Sequence, residues 1–197
     1  LHLEGQPGTP FICSNFITSL DGRIALGSSG STTHKVPSAT VNSRDWRLYQ
    51  ELAGQADLLV TSGRYFRQCL LGEAQDQLPV GKQAEFSDIR KWRLAQGLRE
   101  QPDIAILSGS LDIPLAALEP YRQRRILVIT GDASDQTRID ALQASGIEVL
   151  RAGSGTVVDG SRMTAELAAL GYRSIYAIAG PEVFYTLLRA KVINRLY

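Results

Sequence analysis

Seven short apolar runs punctuate the chain, at Phe11 to Phe16, Leu58 to Thr61, Ile104 to Leu107, Ile126 to Ile129, Ile147 to Leu150, Ile175 to Ile178 and Val192 to Tyr197. Each has strand length rather than helix length. Most are bounded by Gly, Pro, Asp or Ser and are rich in β-branched residues, the pattern of strands buried on both faces. Helix signals lie between them. Asn42 or Ser43 can cap a helix that places Trp46, Tyr49 and Leu52 on or near one face, with Gly54 as its stop. Ile139 and Leu142 ending at Gly146, and Leu167 and Leu170 ending at Gly171, mark two more. Pro181 suits the first position of a helix carrying Phe184, Leu187 and Leu188. The alternation predicts βαβ units and an α/β fold of three layers, a mostly parallel twisted central sheet with helices on both faces.

Composition narrows the function. At 197 residues, 44% hydrophobic and 21% charged, the chain is read as one globular domain whose core needs neither disulfides nor metal. A net charge of +1 supplies no field for a nucleic-acid backbone or an anionic membrane, so any anionic ligand must be met locally. No apolar run approaches the roughly 20 residues of a membrane span, and no secretory signal pattern opens the sequence, which points to the cytoplasm. Cys13 and Cys69 read as buried thiols. With His2 and His34 the only histidines, no zinc site of ordinary spacing and no Ser-His or Cys-His pair can be drawn.

Two long stretches, Ala25 to Val41 and Leu70 to Glu85, break the rhythm and read either as binding loops or as surface excursions. No G-x-G-x-x-G turn, no complete P-loop and no G-x-S-x-G elbow is present. Three motifs at strand ends remain. Val60-Thr61-Ser62-Gly63-Arg64-Tyr65-Phe66 presents an arginine after a glycine, and Ile106-Leu107-Ser108-Gly109-Ser110 presents hydroxyls. Ile178-Ala179-Gly180-Pro181-Glu182-Val183 runs from a strand through small residues into a helix start, where free N–H groups suit a pyrophosphate. Each also has a plain structural reading: a solvated turn, turn capping and a tight turn.

Together with Asn15-Phe16-Ile17-Thr18-Ser19-Leu20-Asp21-Gly22-Arg23-Ile24-Ala25, these motifs resemble the dihydrofolate-reductase-like superfamily. They look most like the pyrimidine reductase domain of bacterial riboflavin biosynthesis, whose first strand carries Ser-Leu-Asp-Gly, a basic residue, Ile and Ala. The resemblance runs from about Phe11 to the end. It implies a dihydrofolate-reductase-like fold, NADPH as cofactor, and hydride transfer to the ribosyl C1′ of 5-amino-6-(5-phosphoribosylamino)uracil. On the cofactor side it implies Thr61, Gly63, Arg64, Ser108 and Thr130, with Arg64 on the 2′-phosphate. Ala179, Gly180, Pro181, Glu182 and Val183 would then border the pyrophosphate. On the substrate side it implies Asn15, Ser19 and Asp21, for which turn chemistry is the plain alternative. No proton donor is identified; Asp45 qualifies by position, though a first-turn acid also complements the helix dipole.

The chain departs from the family pattern in four places, the first being Arg64 and Tyr65 in the threonine region of the family's Gly-x-x-Thr turn. Leu70 to Gly81 contains no Asp-Asn-Pro, Ala179 replaces the first glycine of a pair, and Ile178 stands where an acid is common. A dihydrofolate or pteridine reductase on the same fold, or a non-catalytic NADPH-binding protein, are therefore the alternatives. The expected partner is a small-molecule substrate, with no nucleic acid and no membrane, in a homodimer. The expected organisation is a single reductase domain over 1–197, without the deaminase half that often precedes it. Relatives continue beyond Val192 to Tyr197 with further strands, so a missing carboxyl-terminal pair and an unpaired sheet edge are expected.

Overall fold

The apolar runs all enter one sheet in the computed structural model, which describes residues 3–18, 21–22, 26–27, 34–35, 42–74 and 77–197. In chain order the strands are β1 (Phe11–Ser14), β2 (Leu26–Gly27), β3 (His34–Lys35), β4 (Leu58–Ser62), β5 (Asp103–Leu107) and β6 (Ile126–Thr130). They continue with β7 (Glu148–Arg151), β8 (Gly153–Ser154), β9 (Val157–Val158), β10 (Ser174–Ala177) and β11 (Arg195–Leu196). The helices are α1 (Ser43–Gln55), α2 (Gly63–Leu70), α3 (Ser87–Ala95), α4 (Gln136–Ala144), α5 (Gly160–Ala169) and α6 (Pro181–Arg189). The seven-stranded central sheet has the order β11-β1-β10-β4-β5-β6-β7, and every neighbouring pair in it is parallel. Two small antiparallel pairs, β2 with β3 and β8 with β9, stand apart from it.

Because successive side chains of a strand point to opposite faces, the inner strands of the central sheet feed two separate cores. Cys13, Leu59, Ile104, Ile106, Val128 and Tyr176 pack on one face with Leu52 of α1, Phe66 of α2, Ile89 of α3 and Ile139 of α4. Ile12, Val60, Ala105, Leu127, Ile129 and Ile175 pack on the other with Met163 and Leu167 of α5 and Val183 and Leu187 of α6. The result is the three-layer α/β architecture that the alternating runs imply.

Several local readings are corrected. The helix capped by Asn42, whose Oδ1 accepts the Arg44 N–H at 2.8 Å, runs through Gly54 to Gln55. Gly54 is there because a Cβ would lie 2.4 Å from Cγ2 of Ile89, so it lets α3 pack close. The guanidinium of Arg93 in α3 then closes the end of α1, donating to the carbonyls of Ala53 (3.2 Å), Gly54 (2.8 Å) and Ala56 (2.5 Å). A buried cation there complements the helix dipole and satisfies orphan carbonyls. Gly63-Arg64 begins helix α2 instead of forming a turn. The first apolar run stops pairing at Ser14, and the last contributes only Arg195–Leu196. Cys13 is buried, but Cys69 is only half-buried.

The chain leaves β4 through α2 towards β5, and leaves β10 through α6 towards β11 on the other side. The carboxyl ends of β4 and β10 are thus where the connections part, the place at which open α/β sheets form a ligand crevice.

Candidate active site

A cleft of about 240 Å³ opens at that point. It is lined by Ser62, Gly63, Arg64 and Arg67 from the β4–α2 junction and by Leu107, Ser108, Gly109 and Ser110 after β5. Gly180, Pro181, Glu182 and Val183 at the start of α6 complete it. Two helix N-termini therefore face one space. The helices α1, α4 and α5 begin with a side chain, Asn42, Asp135 or Asp159, that accepts a backbone N–H. At the start of α2 and α6, the caps Ser62 and Gly180 make no such side-chain bond. The N–H groups of two helix starts without a side-chain cap among the described residues, and the positive ends of two helix dipoles, converge there with Arg64 and Arg67.

The wall after β5 is fixed. Ser108 Oγ accepts the Leu111 N–H at 3.0 Å, Arg138 donates to the Ser110 carbonyl at 2.8 Å, and Arg67 donates to the Asp112 carbonyl at 2.6 Å. Gly109 is required by packing, since a Cβ would stand 2.6 Å from the Thr156 carbonyl oxygen beside β9. Gly180 differs. Its φ is −67°, which any residue adopts, and a Cβ there would meet no atom of the described residues within 4 Å. Neither conformation nor packing among the described residues asks for glycine at residue 180. A backbone left bare at a cleft suits the close approach of a ligand.

On the far side of β10, Tyr176 donates its phenolic hydrogen to Asn15 Oδ1 at the carboxyl end of β1. Burial pushes the Tyr176 phenol well above its ordinary pKa, so it is a fixed donor at neutral pH. The Tyr49 ring of α1 meets it edge-on at 5.9 Å. Asp45, in the first turn of α1, has its carboxyl raised by burial. Burial also drives the Cys13 thiol up to about 12, which keeps it protonated and unreactive.

With this geometry in view, the comparisons decide the family. Residues 10–197 match the model of the RibD C-terminal domain. The chain belongs to the RibD C-terminal domain family. It is similar to a pyrimidine reductase-like protein of Corynebacterium diphtheriae, with 21% identity and a TM-score of 0.68, covering 95% of this chain and 72% of that one. One form of Acinetobacter baumannii RibD gives 16% identity and a TM-score of 0.64, covering 96% of this chain and 45% of that one. A Thermotoga maritima diaminohydroxyphosphoribosylaminopyrimidine deaminase/5-amino-6-(5-phosphoribosylamino)uracil reductase gives 14% and 0.52, covering 92% and 42%. The chain therefore spans less than half the length of these last two. No curated protein matches. The RibD C-terminal family is a reductase domain, and its structural neighbours carry the same dihydrofolate-reductase-like fold.

Within this RibD-type domain, the expected Gly63, Arg64, Ser108, Gly180, Pro181, Glu182 and Val183 all reach the cleft. Three others do not line it. Thr61 is buried in β4, where strand alternation leaves Ser62 at the cleft instead. Thr130 is buried at the end of β6, one strand further out than β5, with its hydroxyl 2.6 Å from that of Ser134. Ala179 is buried beside Gly180. Neither Asn15 nor Asp21 lines the cleft; Gly22 after Asp21 has φ +79°, as an Asp-Gly turn requires. Ser19 and most of the stretch from Ala25 to Val41 lie outside the described residues. Arg67 was not expected from the sequence. Its signal is the i, i+3 spacing from Arg64, visible only once Gly63–Leu70 is read as a helix.

Proposed function

We propose that the protein is an NADPH-dependent reductase of the riboflavin-pathway type. Its reaction would reduce the ribosyl group of 5-amino-6-(5-phosphoribosylamino)uracil at C1′. The single observation carrying this reading is Gly180: a glycine at a helix start with no side-chain cap, asked for by no packing among the described residues, facing a cleft with two arginines. The residues present fit a dinucleotide phosphate. The N–H groups at the start of α6 suit the pyrophosphate, while Arg64 with the remaining hydrogen of the Ser108 hydroxyl suits a 2′-phosphate. A volume near 240 Å³ lies below the roughly 300–1,000 Å³ that encloses a whole drug-sized ligand, so the cleft would take the phosphate-bearing part.

When bound, NADPH supplies the hydride, and the protein's part is binding, orientation and electrostatics. Glu182 in the first turn of α6 complements the helix dipole and is suited to accept hydrogen bonds from sugar hydroxyls. Asn15, held by Tyr176 at the end of β1, is assigned to the substrate side together with Asp21 and Ser19. The family match over residues 10–197 supports the pyrimidine over a pteridine as substrate. Steady-state NADPH oxidation with this pyrimidine and with dihydrofolate tests the reading. Turnover of the pyrimidine alone is expected. Binding of NADPH with turnover of neither would overturn the enzymatic reading.

A further inference from the structure

We propose that a second cavity, away from the cleft, is a binding site for a small phosphate-bearing anion. It has about 220 Å³ between α1, the segment 77–83 and the turn before β6. Trp46, Gln50, Lys82, Gln83, Tyr121 and Arg124 are among its walls, and no aspartate or glutamate among the described residues lines it. The proposal does not depend on the reductase reading.

Arg124 carries the argument. Its guanidinium donates to the Pro79 carbonyl at 2.7 Å and the Leu78 carbonyl at 3.3 Å, and it lies 5.3 Å from the centre of the Tyr121 ring. Among the described residues it forms no ion pair with a carboxylate. A guanidinium has five N–H donors in a planar fork, so two carbonyls leave capacity for a bidentate oxyanion. Burial pushes its pKa down to about 10, outweighing the opposing influence of the Tyr121, Tyr49 and Tyr65 phenols and of Asp103, the response of a cation that has lost more to desolvation than its neighbours return. Lys82 adds a second, exposed positive charge on the same cavity. A planar fork beside a point charge suits a dianionic phosphate better than a carboxylate. Trp46, Pro120 and Tyr121 offer an apolar wall for the carbon skeleton that bears it.

The segment 77–83 in this wall is also built rigidly, although it has no regular secondary structure. The Leu78 N–H donates to the Tyr121 hydroxyl at 3.0 Å, and Val80 exchanges two bonds of 3.0 Å with the Gln101 side chain. The Gly81 N–H donates to Gln50 Oε1 at 2.8 Å, and Arg90 donates to the Gly81 carbonyl. A Cβ on Gly81 would lie 2.5 Å from the Phe86 ring. Side chains from several elements thus hold a non-repetitive segment in one conformation around a cation-lined space, the preorganisation a binding site needs.

The test uses Trp46 as a local reporter. In a Trp92→Phe protein, Trp46 is the sole tryptophan, and inorganic phosphate is titrated against its fluorescence, with chloride at matched ionic strength as the control. A saturable change with phosphate alone is expected. Lys82→Glu, an exposed change that leaves folding intact, should weaken it by roughly tenfold, and Arg124→Met should abolish it with the far-UV circular dichroism unchanged. Arg64→Ala, in the cleft, should leave it unaltered. The proposal is overturned by no saturable change, by an equal response to chloride, by insensitivity to Lys82→Glu, or by loss of the response in Arg64→Ala.

Discussion

Gly63 and Ser108 meet across the ends of neighbouring parallel strands, so closely that a Cβ on Gly63 would lie 3.0 Å from the Ser108 hydroxyl oxygen. That oxygen also accepts the Leu111 N–H, so Ser108 shapes the cleft wall while exposing one hydrogen for a ligand. Ser108→Ala orphans a buried N–H and should lower the unfolding free energy by about 1–3 kcal/mol. It should also raise the dissociation constant for NADPH, by no more than about tenfold because only one bond is lost. Urea unfolding and a binding titration on the same protein read the two effects separately.

Gly180→Ala should separate folding from binding. The backbone accepts alanine there and no described residue lies in the way of its methyl group. Alanine restricts the unfolded chain, worth about 0.4–1 kcal/mol, but is a poorer helix cap than glycine by a similar amount, so stability should stay within about 0.5 kcal/mol. NADPH binding should fall by roughly tenfold, because a methyl forced against a bound ligand costs about 1–3 kcal/mol. Unchanged affinity would show that no ligand approaches this backbone.

Arg64→Ala should distinguish the two nicotinamide cofactors. Loss of a charge-assisted phosphate contact weakens NADPH by about 1.5–3 kcal/mol, while NADH, which lacks the 2′-phosphate, should change little. Equal weakening of both, measured as KM or by titration, refutes the assignment of Arg64.

Asp57 makes stability depend on pH. Its carboxylate accepts the N–H groups of Arg173 at 2.7 Å and Ser174 at 3.1 Å, tying the start of β4 to the start of β10. Burial outweighs those bonds and raises the carboxyl above 3.8. The native state then holds this proton more tightly than the unfolded chain. Its contribution to stability is complete below the unfolded value and is lost as pH rises through the native one. In urea denaturation, the margin of wild type over Asp57→Asn should grow as pH falls from about 7 to about 4. A margin that shrinks over the same range contradicts the raised value.

Local chemistry was legible wherever one residue type answers one backbone demand. Asn42 caps, Pro181 opens a helix, and Gly146 and Gly171 take positive φ at helix ends. The strands were legible because a sheet covered on both faces needs uninterrupted apolar runs. Helix α3 was not, since Ile89 and Arg93 are its only buried residues and two positions make no stripe. Helix α2 was hidden by its glycine start and its lack of a capping side chain. At the site, Arg64 and Gly180 stood out because each closely follows a strand, whereas Thr61 and Thr130 were misplaced because depth in the sheet depends on alternation and strand order. The Arg124 cavity gathers residues from segments far apart in the chain, which no single stretch of sequence betrays.

The two helix starts that border the cleft belong to different cores, Phe66 anchoring α2 on one face of the sheet and Val183 anchoring α6 on the other. They act as two jaws on separate mountings. Trimming Phe66 would reset the arginine-bearing jaw while the bare backbone at Gly180 kept its place, and trimming Leu187 would do the reverse. The spacing that a ligand meets can thus be tuned from deep inside either layer, one jaw at a time, without touching a residue in the cleft itself.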